Sequence, residues 1–209
     1  MTAAGAELLA STTSLWDWRL RVANLFAQVR AEPDPFTAWQ LWKTTKADLF
    51  AHHAQTPLEP GAPLPIYFDY DPALRLAVEL GEPETDEPLF LSAGADGEAA
   101  LTPFATTGGL AERFGGELTL YWLGGYGGGV FLPFRDGTSG HETYGGGRYL
   151  IDSIKSADLG TDADGRIILD FNFAYNPSCY YSPRWVCPLA PRNNWLTASA
   201  RGGEMAVGH

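Results

Sequence analysis

Residues 117–134 read ELTLYWLGGYGGGVFLPF, which is two apolar runs separated by a turn rich in glycine. Short apolar runs that are bounded by Gly or Pro are typical of β-strands. Glu117–Leu123 and Val130–Phe134 therefore predict two strands. The intervening Gly127–Gly129 lacks the spacing of a phosphate-binding loop, so we interpret it as a tight turn or a bulge.

Short apolar runs of this kind continue on both sides of this stretch. Leu74–Leu80 alternates apolar and polar residues, as expected for a strand with one buried and one solvated face. From Pro57 onward such runs follow one another, and no helical period lies between them. The predicted strands are Ile66–Tyr70, Leu74–Leu80, Leu89–Ser92, Ala99–Phe104, Leu110–Phe114, Glu117–Leu123, Val130–Phe134, Arg148–Ile151 and Ile167–Phe171. This succession predicts a mainly β (α+β) fold, built as an antiparallel β-barrel or a strongly bent sheet.

The first quarter of the chain has a helical period instead. Ser14 can cap a helix whose apolar side chains recur at three- to four-residue spacing. Asp34 followed by Pro35 marks the start of a second helix, which we expect to end near His52. These two N-terminal helices would cap one end of the barrel or cover an edge of the sheet.

The pattern divides a single domain, residues 1–209, into three parts. We expect a helical cap over 14–53, a β core over 57–171 and an irregular C-terminal wrap over 172–204. The wrap contains four prolines and no regular period. Its many aromatic residues predict that it is ordered against the barrel rather than disordered.

Charge and hydropathy exclude several classes of function. The 209 residues include 14 Lys and Arg against 25 Asp and Glu, a formal net charge of −11. Such a chain has no basic footprint for phosphates, so we predict no nucleic-acid partner and repulsion from an acidic membrane surface. No apolar run approaches the roughly 20 residues of a spanning helix, and the N-terminal residues lack the core of a signal peptide. We therefore expect a cytoplasmic protein with no membrane partner.

The two cysteines, Cys179 and Cys187, are too few for a disulfide framework. Their spacing matches neither CxxC nor a zinc-binding pattern. Two interpretations stay open at this point. They are buried structural thiols, or they form a single disulfide that closes a loop.

Polar residues concentrate at 134–149, FRDGTSGHETYGGGRY, and at 169–177, LDFNFAYNP. These segments resemble the bacterial and archaeal domain-of-unknown-function family numbered 1684. Its pattern runs F-x-D-x-T-x-G-x-E-T-Y-G-x-G-R-Y-L, then L-D-F-N-x-A-Y-N-P-x-C, C-P-L-x-P-x-E-N-x-L and a late G-E. The resemblance extends from Phe134 to Glu204, and an upstream piece, His53–Leu58, resembles the family's H-P-x-S-P-L. Ala54 and Asn193 depart from these patterns, which have Pro and Glu there. It implies a shared fold and a shared site, and it names no reaction.

The candidate ligand site is drawn from these motif residues. Arginine binds carboxylates and phosphates in a bidentate manner, so Arg135 and Arg148 are candidate anion anchors. Neutral hydrogen-bonding side chains beside them would orient the ligand. The predicted ligand-binding residues are Arg135, Arg148, Tyr144, Asp170, Asn172, Tyr175 and Asn176. The leading prediction is that a small polar or anionic molecule binds at the mouth of the barrel.

Two other functions and a purely structural role stay open. Asp136, Glu142 and His53 are candidate acid and base residues for a hydrolase- or isomerase-like enzyme at the same pocket. Exposed aromatic residues of the wrap would suit a protein-interaction module, and homo-oligomerisation is left open. Buried Asp–Arg pairs and Asn side chains can also serve only to satisfy the backbone of an irregular segment. We predict no metal site, because no ligand spacing is present, and the sequence identifies no cofactor.

Overall fold

A computed structural model describes residues 2–92 and 97–207. Two helices at the N-terminus pack against segments that flank a curved antiparallel sheet, and a largely irregular segment follows the last strand. None of the described helices has an apolar stretch long enough to cross a membrane. The dipeptide Asp96–Gly97 is typical of a hairpin turn, and its Asp96 lies outside the described residues.

The second N-terminal helix, α2, spans Pro35–His52 and confirms the prediction. It begins after Asp34, whose carboxylate accepts a hydrogen bond from the Thr37 N–H at 3.0 Å. That contact satisfies one of the free N–H groups in the first turn of the helix. Because the cap residue and the proline adjoin the helix, they could be recognised in the sequence alone.

The first helix, α1, spans Ala3–Ala31, so the predicted start at Ser14 is wrong. The helix begins after Thr2, whose hydroxyl accepts a hydrogen bond from the Gly5 N–H at 3.2 Å. The alanine-rich residues between Thr2 and Ser14 have high helix propensity and extend the helix toward its N-terminus. Its last turns are the buried ones, through Leu25, Phe26 and Val29.

Seven antiparallel strands form the sheet. Their bounds are β1 Arg75–Gly81, β2 Leu89–Ser92, β3 Glu98–Gly108, β4 Thr119–Leu123, β5 Gly129–Phe134, β6 Arg148–Asp152 and β7 Ile167–Asp170. The spatial order is β6, β5, β4, β3, β1 and β7, and β2 pairs with the start of β3. The sheet curls into a nearly closed barrel, which confirms the predicted fold class.

Two prolines lie where the strand pairing is irregular. The register of β3 and β4 shifts between Pro103 and Ala105, and that of β5 and β6 shifts between Leu132 and Pro133. Proline has no N–H for a strand ladder, and a bulge increases the local twist of a sheet. These irregularities bend the sheet toward closure.

Two of the predicted strands are wrong. Ala111–Phe114 is one turn of helix, α3, which ends at Gly115 in the left-handed conformation with a φ of 72°. The Glu117 carboxylate accepts hydrogen bonds from the Gly109 and Ala111 N–H groups, each at 2.9 Å. These bonds stabilise a turn that the apolar spacing does not indicate.

Residues 66–70 form no strand of the barrel, and their backbone pairs with the end of the chain instead. Phe68 N–H donates to Gly203 O at 3.0 Å, and Met205 N–H donates to Ile66 O at 2.9 Å. A partner so distant in sequence cannot be inferred from the run itself.

Two apolar clusters hold these layers together. The barrel interior is filled by residues that include Leu118, Leu132, Phe134 and Phe171. The second cluster joins the helices to the C-terminal wrap through residues that include Leu25, Phe26, Trp39, Trp42 and Phe173. A short helix in the wrap, α4, spans Ser178–Tyr181.

Candidate functional site

Asp136 and Arg148 form a buried ion pair at the end of the β5–β6 hairpin. Arg148 Nη2 lies 3.1 Å from Asp136 Oδ2, and the Arg148 side chain is 1% exposed. The guanidinium also donates to the backbone carbonyls of Ala200, Gly202 and Glu204. Burial lowers the pKa of Arg148, and the charge of Asp136 opposes that shift. The pair therefore holds the hairpin against the last part of the wrap.

The carboxylate of Asp136 also accepts hydrogen bonds from the adjacent turn and from the wrap. Its Oδ1 accepts from the Thr138 N–H at 3.1 Å and from the Thr138 hydroxyl at 2.5 Å. Its Oδ2 accepts from the Ala200 N–H at 2.8 Å as well as from Arg148. These contacts satisfy a buried carboxylate, which would otherwise be costly in free energy.

Asp170 and Asn172 form a second buried group at the end of β7. Asn172 Nδ2 donates to Asp170 Oδ1 and to Asp71 O, both at 2.8 Å. Arg75 Nη1 lies 3.4 Å from the Asp170 carboxylate, and burial raises the pKa of Asp170. This group attaches the segment before β1 to the start of the wrap.

Tyr175 and Asn176 lie beside a third buried charge, Glu204. The Asn176 N–H donates to Glu204 Oε2 at 2.7 Å, and Lys46 of α2 forms an ion pair with Glu204 Oε1. Lys46 Nζ also lies 4.8 Å from the centroid of the Tyr175 ring. Burial lowers the pKa of Lys46, and Glu204 opposes that shift. Glu204 is the glutamate of the late G-E in the sequence pattern. It therefore connects α2 to the wrap.

The three predicted acid and base residues lie in different surroundings. Asp136 is paired with Arg148, Glu142 lies 2.9 Å from Arg201 at the surface, and His53 Nε2 lies 3.1 Å from Asp17 of α1. Each of them has a partner of its own, and the structure does not bring the three into one pocket. Within the described residues there is no group of three His, Cys, Asp or Glu side chains that could hold a metal ion.

Arg135 differs from the buried Arg148, because its side chain is half-exposed and its guanidinium stacks on an exposed aromatic ring. Its guanidinium carbon lies 4.0 Å from the centroid of the Trp195 ring, and that of Arg192 lies 5.1 Å from the same centroid. Within 2–92 and 97–207, neither arginine has a carboxylate within 4.0 Å. We call Arg135, Arg192 and Trp195 the arginine–tryptophan face.

Tyr144 lies on the other side of the glycine-rich turn, close to the cysteines. Its ring packs against Tyr180 with centroids 5.2 Å apart, and its hydroxyl lies 4.0 Å from Cys179 Sγ. In the turn next to it, a Cβ on Gly147 would lie 2.5 Å from the Phe134 backbone O, and the φ of 94° is left-handed, so that position requires glycine. This close approach supports the interpretation of the glycine clusters as turns.

Cys179 and Cys187 are free thiols, both half-exposed. The Cys179 N–H donates to Cys187 Sγ at 3.3 Å. A hydrogen bond from the Cys179 thiol lowers the pKa of the Cys187 thiol to about 6, while burial opposes this shift. The same contact raises the pKa of Cys179.

Two cavities, of about 200 Å³ and about 300 Å³, indent the surface elsewhere. The smaller lies between the ends of the two helices and the sheet, and its lining includes Arg30, Arg75 and Asp162. The larger lies beside the end of α2, between Phe50 and Leu64. No predicted ligand-binding or catalytic residue lines either of them.

Comparison with known proteins gives the family. The family model described as "Protein of unknown function (DUF1684)" matches residues 65–205. The chain belongs to DUF1684. No curated protein matches it. It is also similar to a solution NMR structure of the uncharacterized protein from gene locus rrnAC0354 of Haloarcula marismortui, with 31% identity, a TM-score of 0.53, and coverage of 81% of this chain and 92% of that chain.

The DUF1684 match confirms the resemblance predicted from the motifs and covers the barrel and the wrap. Sequence reasoning did not identify Arg192 or Trp195 as site residues. The sequence gives little indication of this contact, because the parallel bridge that brings Arg135 and Trp195 together joins positions far apart in the chain. The approach of the two thiols was also missed, because their spacing fits no known motif.

Proposed function

We propose that this DUF1684 protein binds a small anionic molecule, a carboxylate or a phosphate, at the arginine–tryptophan face. The proposal keeps the ligand class expected from the sequence and one of its two anion anchors, Arg135. Guanidinium groups recognise both kinds of oxyanion through paired N–H donors. Trp195, whose side chain is 40% exposed, adds an apolar surface next to the charges.

The observation that carries the proposal is the absence of an acidic partner at this face. In the described chain, Arg148 is paired with Asp136 and Arg201 with Glu142, whereas Arg135 and Arg192 have no carboxylate within 4.0 Å. The protein carries a net charge of −11, so acids are abundant elsewhere. Both guanidinium carbons lie within 5.1 Å of the Trp195 ring centroid, so an anion bound beside this ring would be attracted by both charges.

Hydrogen bonds hold the backbone of the face in place, which lowers the cost of ordering it when a ligand binds. Arg135 N–H donates to Asn194 O at 2.9 Å, and Leu196 N–H donates to Arg135 O at 2.8 Å. The buried Asn194 side chain donates to Thr119 O at 2.9 Å and to Pro133 O at 2.7 Å. These bonds attach the backbone of the face to β4 and β5, and preorganisation of this kind favours affinity.

Binding is a better proposal than acid–base catalysis at this face. The nearest predicted acid, Asp136, is engaged by Arg148, Thr138 and Ala200 and has no exposed side-chain surface. A general acid or base must reach the proton that it transfers. We therefore propose a binding protein for a small ligand in the cytoplasm, and not a hydrolase or an isomerase.

The test is a titration of the full-length protein with inorganic phosphate and, separately, with succinate at low ionic strength. The Trp195 indole N–H signal in an NMR spectrum, assigned with Trp195→Phe, reports binding. We expect a dissociation constant near about 1 mM for one of the two anions, which corresponds to roughly −4 kcal/mol. Arg135→Ala should weaken that binding by about tenfold or more, because a charged hydrogen bond contributes about 1.5–3 kcal/mol.

Arg184→Ala is the matched control, because Arg184 also stacks on a tryptophan, Trp185, at 4.9 Å. That variant should keep the wild-type affinity. The proposal would be contradicted if wild type and an Arg135→Ala, Arg192→Ala double variant bound the anion with equal affinity. It would also be contradicted if high concentrations of both anions left the Trp195 signal unchanged.

A further inference from the structure

Cys179 and Cys187 lie together although residues 180–186 separate them along the chain. The backbone N–H of Cys179 donates to Cys187 Sγ at 3.3 Å, so the two residues are in direct contact. A disulfide requires the two Cα atoms to lie within about 7 Å of each other, and this contact brings the two residues near that range.

The surroundings stabilise negative charge on Cys187 in particular. Its sulfur accepts a hydrogen bond from the Cys179 backbone N–H at 3.3 Å, and the charge of Lys155 also favours the thiolate. The other titratable groups around the pair are the phenols of Tyr144, Tyr149 and Tyr175. A thiolate, not a thiol, is the nucleophile in sulfur chemistry, so Cys187 is the attacking residue of the pair.

We propose that Cys187 and Cys179 are a redox-active dithiol that a hydroperoxide oxidises to an intramolecular disulfide. The Cys187 thiolate attacks the terminal oxygen of the hydroperoxide, the O–O bond breaks, and the departing alkoxide or hydroxide takes a proton from water. Cys187 is then a sulfenic acid, oxidised by two electrons. The Cys179 sulfur attacks Cys187, the S–O bond breaks, and the hydroxide leaves as water with the proton of Cys179.

The partial exposure of the pair favours a small oxidant. Both cysteines are half-exposed, which admits a hydroperoxide more readily than a disulfide on another protein. The backbone that follows Cys187 is fixed, because the Tyr149 hydroxyl donates to Pro188 O at 2.5 Å. In the reducing cytoplasm predicted from the sequence, the resting state is the dithiol, so oxidation is the event that changes the molecule.

The experiment exposes the reduced full-length protein to one equivalent of hydrogen peroxide and then alkylates the remaining thiols. In wild type we expect both alkylation sites to be lost, and peptide mapping should give a Cys179–Cys187 disulfide. Cys179→Ser should stop at the sulfenic acid on Cys187, which dimedone traps. In Cys187→Ser, Cys179 should keep its free thiol after the same exposure.

A second measurement needs no variant and covers the case in which a serine variant does not fold. At neutral pH, iodoacetamide should alkylate Cys187 about tenfold faster than Cys179 in wild type, because Cys187 is the thiolate of the pair. Two fully alkylated cysteines after peroxide would overturn the proposal. So would equal alkylation rates at the two positions, or a peroxide rate that is the same in folded protein and in guanidinium chloride. None of these readouts depends on anion binding at Arg135.

Discussion

Arg148 donates hydrogen bonds to Asp136 and to the backbone carbonyls of Ala200, Gly202 and Glu204. At the scale of the single residue this makes it the group that anchors the C-terminal wrap to the barrel. Its guanidinium also lies 5.1 Å from the ring of Phe134 in the core. Removal of the charge would leave a buried carboxylate and three carbonyls without these donors, and each unsatisfied group costs free energy.

We expect Arg148→Met to lower the free energy of unfolding by about 3–5 kcal/mol, the usual cost of breaking a buried ion pair. Urea denaturation followed by far-UV circular dichroism measures this loss. Arg19→Met is the control, because Arg19 is an exposed residue of α1, and surface substitutions of this kind stay within about 0.5 kcal/mol. A loss below about 1 kcal/mol for Arg148→Met would mean that the pair does not anchor the wrap.

Single residues also mark how far the sequence could predict the site. Arg135 and Arg148 belong to the same motif and were equal candidates, yet one stacks on Trp195 and the other is buried. Residue type gave both arginines the same expected role, whereas exposure depends on strand register and on a segment some 50 residues away in the chain. The contact between Cys179 and Cys187 likewise depends on how the wrap folds.

At the scale of the element, structure that depends on adjoining residues was predicted from the sequence, whereas structure that depends on more distant residues was not. The Asp34–Pro35 start of α2 was recognised because cap and helix adjoin in sequence. The turn α3 was mistaken for a strand, since it depends on Glu117, which lies beyond the turn and returns to the Gly109 and Ala111 N–H groups. The Thr107 hydroxyl donates to the same carboxylate at 2.7 Å.

We therefore predict that Glu117→Ala lowers the free energy of unfolding by about 1–3 kcal/mol, because three donors lose a charged acceptor. Glu112→Ala, an exposed acid within α3, is the matched control and should change it by about 0.5 kcal/mol at most. Although burial opposes it, hydrogen bonding lowers the pKa of Glu117. Its contribution is therefore present above the pKa of the unfolded chain, near 4.3, and is lost as the pH falls through the lower folded value.

If the denaturation midpoints of Glu117→Ala and wild type stay equally far apart from neutral pH down to about pH 3, the ionised carboxylate is not what stabilises the turn. A shrinking difference is the expected result.

At the scale of the whole molecule, the fold class followed from short apolar runs, but closure of the barrel did not. Strand β1 pairs with β3 on one side and with β7 on the other, and β7 is distant in sequence. The pairing of Tyr67 with Glu204 also joins the two ends of the matched region. Such contacts are long-range, and apolar periodicity carries no information about which distant partner a strand or segment takes.

Because this fold buries most of its tyrosines, the stability of the whole molecule depends on alkaline pH. Burial raises the pKa of eight of the nine phenols, most strongly around Glu204 and the cysteines, where Tyr67, Tyr149, Tyr175 and Tyr181 lie. When the pH is below the pKa of a phenol in the unfolded chain, near 10, these tyrosines are neutral in both the folded and the unfolded state. They then do not contribute to the pH dependence of stability. Above that pKa, the unfolded chain releases protons that the folded chain keeps, so stability falls as the pH rises.

Each phenol that stays protonated only in the folded state removes about 1.4 kcal/mol of stability per pH unit above about 10. Tyr149, Tyr175 and Tyr181 together give about 4 kcal/mol per pH unit, so we expect steep, cooperative alkaline unfolding. Tyrosinate absorbance and far-UV circular dichroism, followed on the same samples, should change at the same pH. Tyr126→Phe removes a fully exposed phenol and should leave the midpoint of the dichroism transition in place. Stepwise ionisation of the buried phenols with an unchanged dichroism spectrum would contradict this, because it would mean that they ionise within the folded molecule.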